Sequence, residues 1–311
     1  MPPQKLPFQP MEPLLLAEPF QDEAFRYEVK WDGVRTIAWY NEGQVRLWSR
    51  RGTDITRYFP ELHVPLAWEN QVVLDGELIV VNEFRRPDFS RIVRRLRLKR
   101  PGTIQQAQQT SPAVFMVFDL LKLENTDLRS LPWWQRQERL QQVLCPSEHV
   151  QLVESFADGL GLFRQTKRWG LEGIVAKRVE SRYTAGKAHR DWYKVKHWQE
   201  IDARIGGLLY NADGTWRSVY LGLPDDNGQL SFIGQAASGL TRDDWEWLTQ
   251  HVSRLEMPTP PFHNLCRPDG ASVWLKPHLT VTVRFQEWTA GGHLRSPVIV
   301  RLHRLSLQEW S

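Results

Sequence analysis

Glu28-Val29-Lys30-Trp31-Asp32-Gly33-Val34-Arg35 is the stretch on which the reading of this chain turns. Read as a strand, its two-residue period sends Tyr27, Val29 and Trp31 to one side and gathers Glu28, Lys30 and Asp32 on the other. A lysine held between two carboxylates on one sheet face admits two readings. It is either a salt-bridged face turned to solvent or a nucleophile. A nucleophilic amine must be neutral to attack, and a free lysine near pH 7 is neutral in only about one molecule in a few thousand.

Outward from this octet, residues 25–81 are mostly period-two, with turn residues such as Asn41-Glu42-Gly43 between the runs. This pattern predicts an antiparallel sheet rather than a series of β-α-β units. The proline-rich residues before it read as an extended arm, with regular structure expected from Phe25. Asp88 can cap a helix whose Phe89, Ile92, Val93 and Leu96 share one face, leaving Arg91, Arg94, Arg95 and Arg97 mostly off the apolar stripe. A strand at 113–119, helices at 133–144 and 160–169, and strands at 173–178 and 192–198 follow. After His197 the pattern changes to short strands and turns around one helix, which Thr241 and Asp244 open as a capping box, with Trp245, Leu248, Val252 and Leu255 inside. The expected class is α+β: an antiparallel-sheet domain over 1–199 and a small five-stranded barrel of the OB type over 200–311.

Composition fits this picture. The 311 residues are 41% hydrophobic and 24% charged, which suits globular domains and excludes a disordered or collagen-like chain. Forty basic against 36 acidic side chains permit a polyanionic partner without demanding one. No apolar run is long enough to cross a membrane, and residues 14–17 are too short for the core of a signal peptide, so a cytoplasmic location is expected; the chain is also expected to be a monomer. Cys145 and Cys266 stand far apart, without the spacing of a zinc site or disulfide framework.

Polar strand faces recur along the chain. Asp75-Gly76-Glu77 puts two acids on one face of an apolar strand, and Phe118-Asp119 ends another. Glu172-Gly173 opens a third strand, and Lys194-Val195-Lys196 places two lysines on one face of a fourth. Lysines and carboxylates together, with glycine beside several of the acids for close backbone approach, are what a polyphosphate and its magnesium ion require.

In that order, Lys30-Trp31-Asp32-Gly33-Val34-Arg35, Ser49-Arg50-Arg51-Gly52, Asp75-Gly76-Glu77, Phe118-Asp119, residues 172–177 and Lys194-Val195-Lys196 resemble the motif set of the covalent nucleotidyltransferases, specifically the ATP-dependent DNA ligases. Val273-Trp274-Leu275-Lys276-Pro277 and Phe285-Gln286-Glu287-Trp288-Thr289 are similar to segments of the ligase module of the bacterial end-joining ligase D group. The resemblance implies an adenylation domain followed by an OB-fold domain, ATP with Mg2+ or Mn2+, nicked or broken duplex DNA as substrate and a Ku-type end-binding partner. It makes Lys30 the residue that carries AMP, with Lys194 and Lys196 on the α-phosphate, Glu77 and Glu172 on the metal or ribose, and Phe118 on adenine. It also sets Glu28 near the adenine edge, Arg35 near ribose and phosphate, and Arg50 on the 5′-phosphate of the nick. The basic helix, through Arg91, Arg94 and Arg95, suits tracking of the DNA backbone.

The chain departs from the family pattern at Gly186-Lys187-Ala188-His189, and Arg301-Leu302-His303-Arg304 stands where a terminal R-x-D-K motif is expected. Strand parity puts Glu172 and Lys177 on opposite faces, so only Glu172 is expected in the pocket. Two other readings stay open: an RNA ligase or RNA-capping enzyme, and a non-catalytic OB-type DNA binder.

Overall fold

The chain divides into two units, Met1–His197 and Trp198–Ser311. The computed structural model describes residues 6, 8–41, 43–63, 71–225, 228–265, 270–286, 288–289 and 291–304. The first residues of the arm, Glu42 of the expected turn, Cys266 and Glu287 lie outside the described residues.

The first unit is built on β1 (Glu12–Leu16), β2 (Phe25–Val29), β3 (Val34–Asn41), β4 (Gln44–Ser49), β5 (Val72–Val80), β6 (Ala113–Leu123), β7 (Thr126–Asp127), β8 (Val150–Leu152), β9 (Ser155–Phe156), β10 (Gly173–Arg178) and β11 (Ala188–Lys196). Its helices are α1 (Phe89–Leu96), α2 (Pro101–Thr110), α3 (Trp133–Val143) and α4 (Gly159–Trp169). One sheet runs β4-β3-β5-β6-β7 with β8 beside β6, and the other runs β1-β11-β10-β2-β9.

Alternation along the strands sorts the side chains into layers. From β3, Ile37 and Trp39 enter a core shared with Trp192 of β11, while Ala38 and Tyr40 enter the core on the other face with Ile92 of α1 and Leu140 of α3. From β5, Val73 and Ile79 join the first of these and Leu74 and Leu78 the second. Tyr27, Ile174 and Val195 pack against Leu162 of α4. The order is therefore helix, sheet, sheet, helix, and the polar residues of β2, β5, β10 and β11 are left along the seam between the sheets.

Three expectations change. The arm is not wholly irregular, since β1 pairs in parallel with β11. Pro13 does not prevent this, because β1 is an edge strand and its register shifts between Pro13 and Leu14. A helix not anticipated from the sequence, α2, has Pro101 at its first turn, where a missing N–H does no harm. The parity of the opening octet holds only to Val29, where β2 ends; beyond it Trp31 packs into the seam core while Tyr27 stays on the α4 side.

The second unit contains β12 (Gln199–Tyr210), β13 (Trp216–Pro224), β14 (Leu230–Ala236), α5 (Arg242–Leu255), β15 (Glu256–Met257), β16 (Ser272–Leu275), β17 (Thr280–Phe285) and β18 (Val298–His303). The long β12 pairs with β17 through residues 199–204 and with β16 through residues 207–209, so one strand belongs to two parts of a single antiparallel sheet. Ile205, Leu208, Val219, Val281 and Val283 form its core with Leu248 and Leu255 of α5. The capping box of Thr241 and Asp244 is formed. Cys145 is an exposed free thiol, and no described helix is long and apolar enough to cross a membrane.

Candidate active site

At the seam lies a cavity of about 490 Å³ whose lining includes Glu28, Lys30 and Arg35 from the opening stretch, Glu77 and Phe118 from one sheet, and Lys177, Trp192, Lys194 and Lys196 from the other. Register explains why they meet. Glu28 lies opposite Val175, Val175 opposite Lys194, and Gly173 opposite Lys196, so the same face of β2, β10 and β11 turns to the cavity. On the facing sheet Arg35 lies opposite Glu77. The pairing of β5 with β6 passes from Asp75↔Asp119 to Gly76↔Val117, leaving Phe118 as the extra residue of a bulge that turns its ring toward the pocket.

Lys30 follows the end of β2, and its backbone N–H donates to the Gly173 carbonyl at 3.0 Å. Its ammonium donates to Glu172 Oε2 at 2.6 Å, and Lys196 lies 2.9 Å from Glu172 Oε1. Burial by itself would raise the Glu172 carboxyl, but Lys30 and Lys196 together hold it below its ordinary value. Lys194 is drawn down by burial and by the neighbouring Lys30 charge. Glu77 is pushed up to about 8, first by burial and then by Glu172 and Asp32, with Lys30 and Arg35 opposing.

Two glycines are sterically required. At Gly173, with φ of 147°, a Cβ would overlap the Val195 carbonyl oxygen, and at Gly33 it would overlap that of Leu78. Each lets the backbone beside an acidic residue run against the neighbouring strand.

Arg35 is fixed more firmly than its motif suggests. Its Nε and Nη2 donate to Asp75 Oδ1 and Oδ2 at 2.5 and 2.6 Å, and Nη2 also donates to the Met11 carbonyl at 3.3 Å. The Tyr183 hydroxyl donates to Asp75 Oδ2 at 2.6 Å and accepts from the Met11 N–H at 3.1 Å. The guanidinium then stands 4.4 Å from the centroid of the Phe118 ring.

Of the residues singled out from the sequence, Glu28, Lys30, Arg35, Arg50, Glu77, Phe118, Lys194 and Lys196 all line this cavity, and Glu172 contacts two of its lysines. Lys177 lines it as well, which corrects the parity expectation: Glu172 precedes β10, so only Lys177 obeys the alternation of that strand. The basic helix needs a second correction. Arg95 is buried and paired with Glu61 at 2.8 and 3.1 Å, and it also donates to the carbonyls of Tyr58 and Ser111, so it cannot touch DNA. It sits only about 60° around the helix from Ile92, on the flank of the apolar stripe. Arg94 is exposed, and Arg91 is paired with Glu83 and Asp88. Glu12, Pro13 and Trp192 line it as well, without having been singled out as site residues. The run Leu14-Leu15-Leu16 was the signal for the strand that brings Glu12 in.

Residues 12–196 match the family profile of the ATP dependent DNA ligase domain, and residues 212–304 that of the ATP dependent DNA ligase C terminal region. The multifunctional non-homologous end joining DNA repair protein LigD of Mycobacterium tuberculosis is 33% identical over 278 residues, covering 86% of this chain and 35% of LigD. The chain thus spans about a third of the length of such relatives. DNA ligase C1 of Mycolicibacterium smegmatis is 34% identical over 252 residues, 76% of this chain and 72% of that protein. The crystal structure of the ligase domain of M. tuberculosis LigD aligns with a TM-score of 0.55 at 30% identity, covering 95% of each chain. The first unit accordingly has the fold of a ligase adenylation domain and the second that of an OB-fold domain, and the chain belongs to the ATP-dependent DNA ligase family.

Proposed function

We propose that this chain seals 5′-phosphate/3′-hydroxyl nicks in duplex DNA with ATP, as part of double-strand-break repair by end joining. The observation that carries the reading is the Lys30 amine in the lining of a cavity that also holds Arg35, Lys177, Lys194 and Lys196, with the Glu172 carboxylate 2.6 Å away. Lys30 Nζ, as the neutral amine, forms the N–P bond to the α-phosphorus while the bond to pyrophosphate breaks, and the proton the amine sheds passes to solvent. The AMP passes to the nick 5′-phosphate, and the 3′-hydroxyl then displaces it.

Lys194 and Lys196 neutralise charge on the α-phosphate. Phe118 and Val175 flank the base, Glu28 meets the adenine edge, and Arg35, held by Asp75, faces ribose and phosphate. Arg50, with a side chain 56% exposed and Glu12 as its ion-pair partner at 3.4 Å among the described residues, takes the nick 5′-phosphate. Glu77 and Glu172 would hold Mg2+ or Mn2+. Two carboxylates suit an ion that completes its shell with substrate phosphates, and Glu77, pushed up to about 8 beside further acids, is a group that a cation would relieve. When bound, the metal supplies charge neutralisation at the phosphate oxygens.

The division into an adenylation domain over 1–199 and an OB-fold domain over 200–311, a monomeric state, a cytoplasmic location and a Ku-type partner belong to the same reading. The test is incubation with α-labelled ATP and magnesium, followed by a denaturing gel and mass spectrometry. AMP should map to Lys30, and Lys30→Ala should abolish it with the fold intact. Label on another residue, or persisting in the variant, overturns the mechanism; label from GTP, or sealing confined to RNA, would favour a capping enzyme or RNA ligase instead.

A further inference from the structure

One of the four lysines in the cavity wall has no part in the reading above. Lys177 is 1% exposed; its ammonium lies 2.8 Å from Glu28 Oε2 and donates to the Phe118 carbonyl at 3.1 Å. It also stands 4.2 and 4.5 Å from the centroids of the Phe118 and Trp192 rings. Lysine is almost never this deeply buried unless paired, and here the pairing fixes its partner as well. Glu28 is 2% exposed, with Oε2 taken by Lys177, whereas Oε1 is buried and has no hydrogen-bond partner among the described residues. Glu28 thus lines the cavity with one of its two oxygens left without a donor.

What Glu28 can bind depends on its proton. An ionised carboxylate only accepts hydrogen bonds, whereas the protonated acid also donates one. At the purine 6-position adenine carries an amino donor and guanine an oxygen acceptor. We propose that Lys177 is a specificity-determining positioning residue, which anchors Glu28 Oε2 and keeps the carboxylate ionised so that Oε1 accepts from a 6-amino purine and rejects a 6-oxo one. The proposal rests on the nucleotide reading of the cavity and adds to it a residue and a physical cause for base choice.

The surroundings leave this role to Lys177. Burial pushes Glu28 up to about 7; Lys177 from β10 opposes it most, Asp119 from β6 adds to it, and Arg35 from β3 opposes it weakly. Asp119 is itself paired with Arg136, Arg35 is committed to Asp75, and the β9 residue opposite Glu28 is the uncharged Ser155. With Lys177 gone, the acid form of Glu28 gains most.

The experiment compares the specificity constants for labelling of Lys30 by α-labelled ATP and GTP in the full chain between pH 6 and 9. In Lys177→Met the ATP:GTP ratio at pH 7.5 should fall by about tenfold or more, one pKa unit being a factor of ten in proton occupancy, and recover toward pH 9. Glu28→Gln, whose amide presents both a donor and an acceptor at every pH, should lower the ratio and flatten its pH dependence. If both nucleotides lose rate by the same factor and the ratio holds at every pH, Lys177 is merely structural and the proposal is wrong. Should Lys177→Met fail to fold, Glu28→Gln decides, and an unchanged ratio there overturns it. If the native chain takes label from neither nucleotide, the nucleotide reading itself falls and takes this one with it.

Discussion

Replacing Asp75 by asparagine should cost the first unit about 3 kcal/mol. Asp75 is fully buried, and its two oxygens receive Arg35 Nε, Arg35 Nη2 and the Tyr183 hydroxyl at 2.5, 2.6 and 2.6 Å. Asparagine keeps the shape but can accept through one atom only, and its amide N–H groups then face the donors of Arg35 or Tyr183. Breaking a buried ion pair by neutralising one partner costs about 3–5 kcal/mol. The Arg35 side chain is 16% exposed and can recover some hydration, so the lower end applies. At about 2–4 °C per kcal/mol for a unit of this size, the melting temperature should drop by roughly 6–12 °C. Tyr183→Phe keeps the ring against Trp192 but strips hydrogen bonds from Asp75 and the Met11 N–H, for about 1–2 kcal/mol. Because the hydroxyl and the carboxylate meet directly, the double variant should lose less than the sum of the two single losses. Near-UV circular dichroism melts of the four proteins measure all of this. A melting temperature for Asp75→Asn within about 2 °C of native would refute the reasoning, since the ion pair would then contribute nothing net.

Arg50→Ala should keep most self-adenylation while AMP transfer to a nick slows by roughly tenfold or more, the scale of a lost hydrogen bond to a charged group; equal losses in both steps would move Arg50 into the nucleotide site. Arg94→Ala should weaken binding to nicked duplex and reduce the salt slope by about one while leaving the melt unchanged. Arg95→Ala should instead destabilise the fold by about 3–5 kcal/mol, because it leaves Glu61 buried without its cation; urea titrations separate the two cases. His197 is pulled down to about 4, chiefly by burial and then by Lys167, so the unfolded chain binds a proton more readily than the folded one between about 6.5 and 4. Stability should therefore be full above pH 6.5 and decline as pH falls through that window. His197→Phe, which keeps a ring against Phe163, should flatten the decline in urea midpoints measured at pH 7 and pH 5.

How far the sequence could be read depended on how local each cause was. The cap of α1 by Asp88 and the capping box of α5 are fixed within a few residues, and both were legible; so was the meeting of Glu28 and Lys30 at one cavity, although β2 ends at Val29 between them. The placement of β1 was not, because its hydrogen bonds go to β11 and the proline content of the arm argues locally for irregular chain. Arg95 was misread for a related reason: its partner Glu61 lies 34 residues away, and no helical pattern reports a buried acid on another element. The parity rule put Glu172 and Lys177 on opposite sides because it was carried one residue past the end of a strand. Gly173 has φ of 147°, and Glu172 before it meets the cavity's Lys30 and Lys196 from the strand's entrance, while Lys177 lines the cavity from within.

That double approach determines how the cavity is charged. The sheet containing β2, β10 and β11 contributes Lys177, Lys194 and Lys196 to the wall, with Lys30 just past the end of β2. The facing sheet contributes Glu77, Phe118 and Arg35, whose own charge is already matched by Asp75. Two of the lysines are tied to Glu172 and one to Glu28, so the cations facing an incoming phosphate are not all equally available. Lys194 has no ion pair within 4.0 Å among the described residues, and burial beside Lys30 disfavours its charge; an anion in the cavity beside it relieves that penalty directly. On the proposed reading Lys30 and Lys196, both tied to Glu172, would have to exchange that carboxylate for phosphate oxygens, so Lys194 is the cation that an incoming anion reaches at least cost.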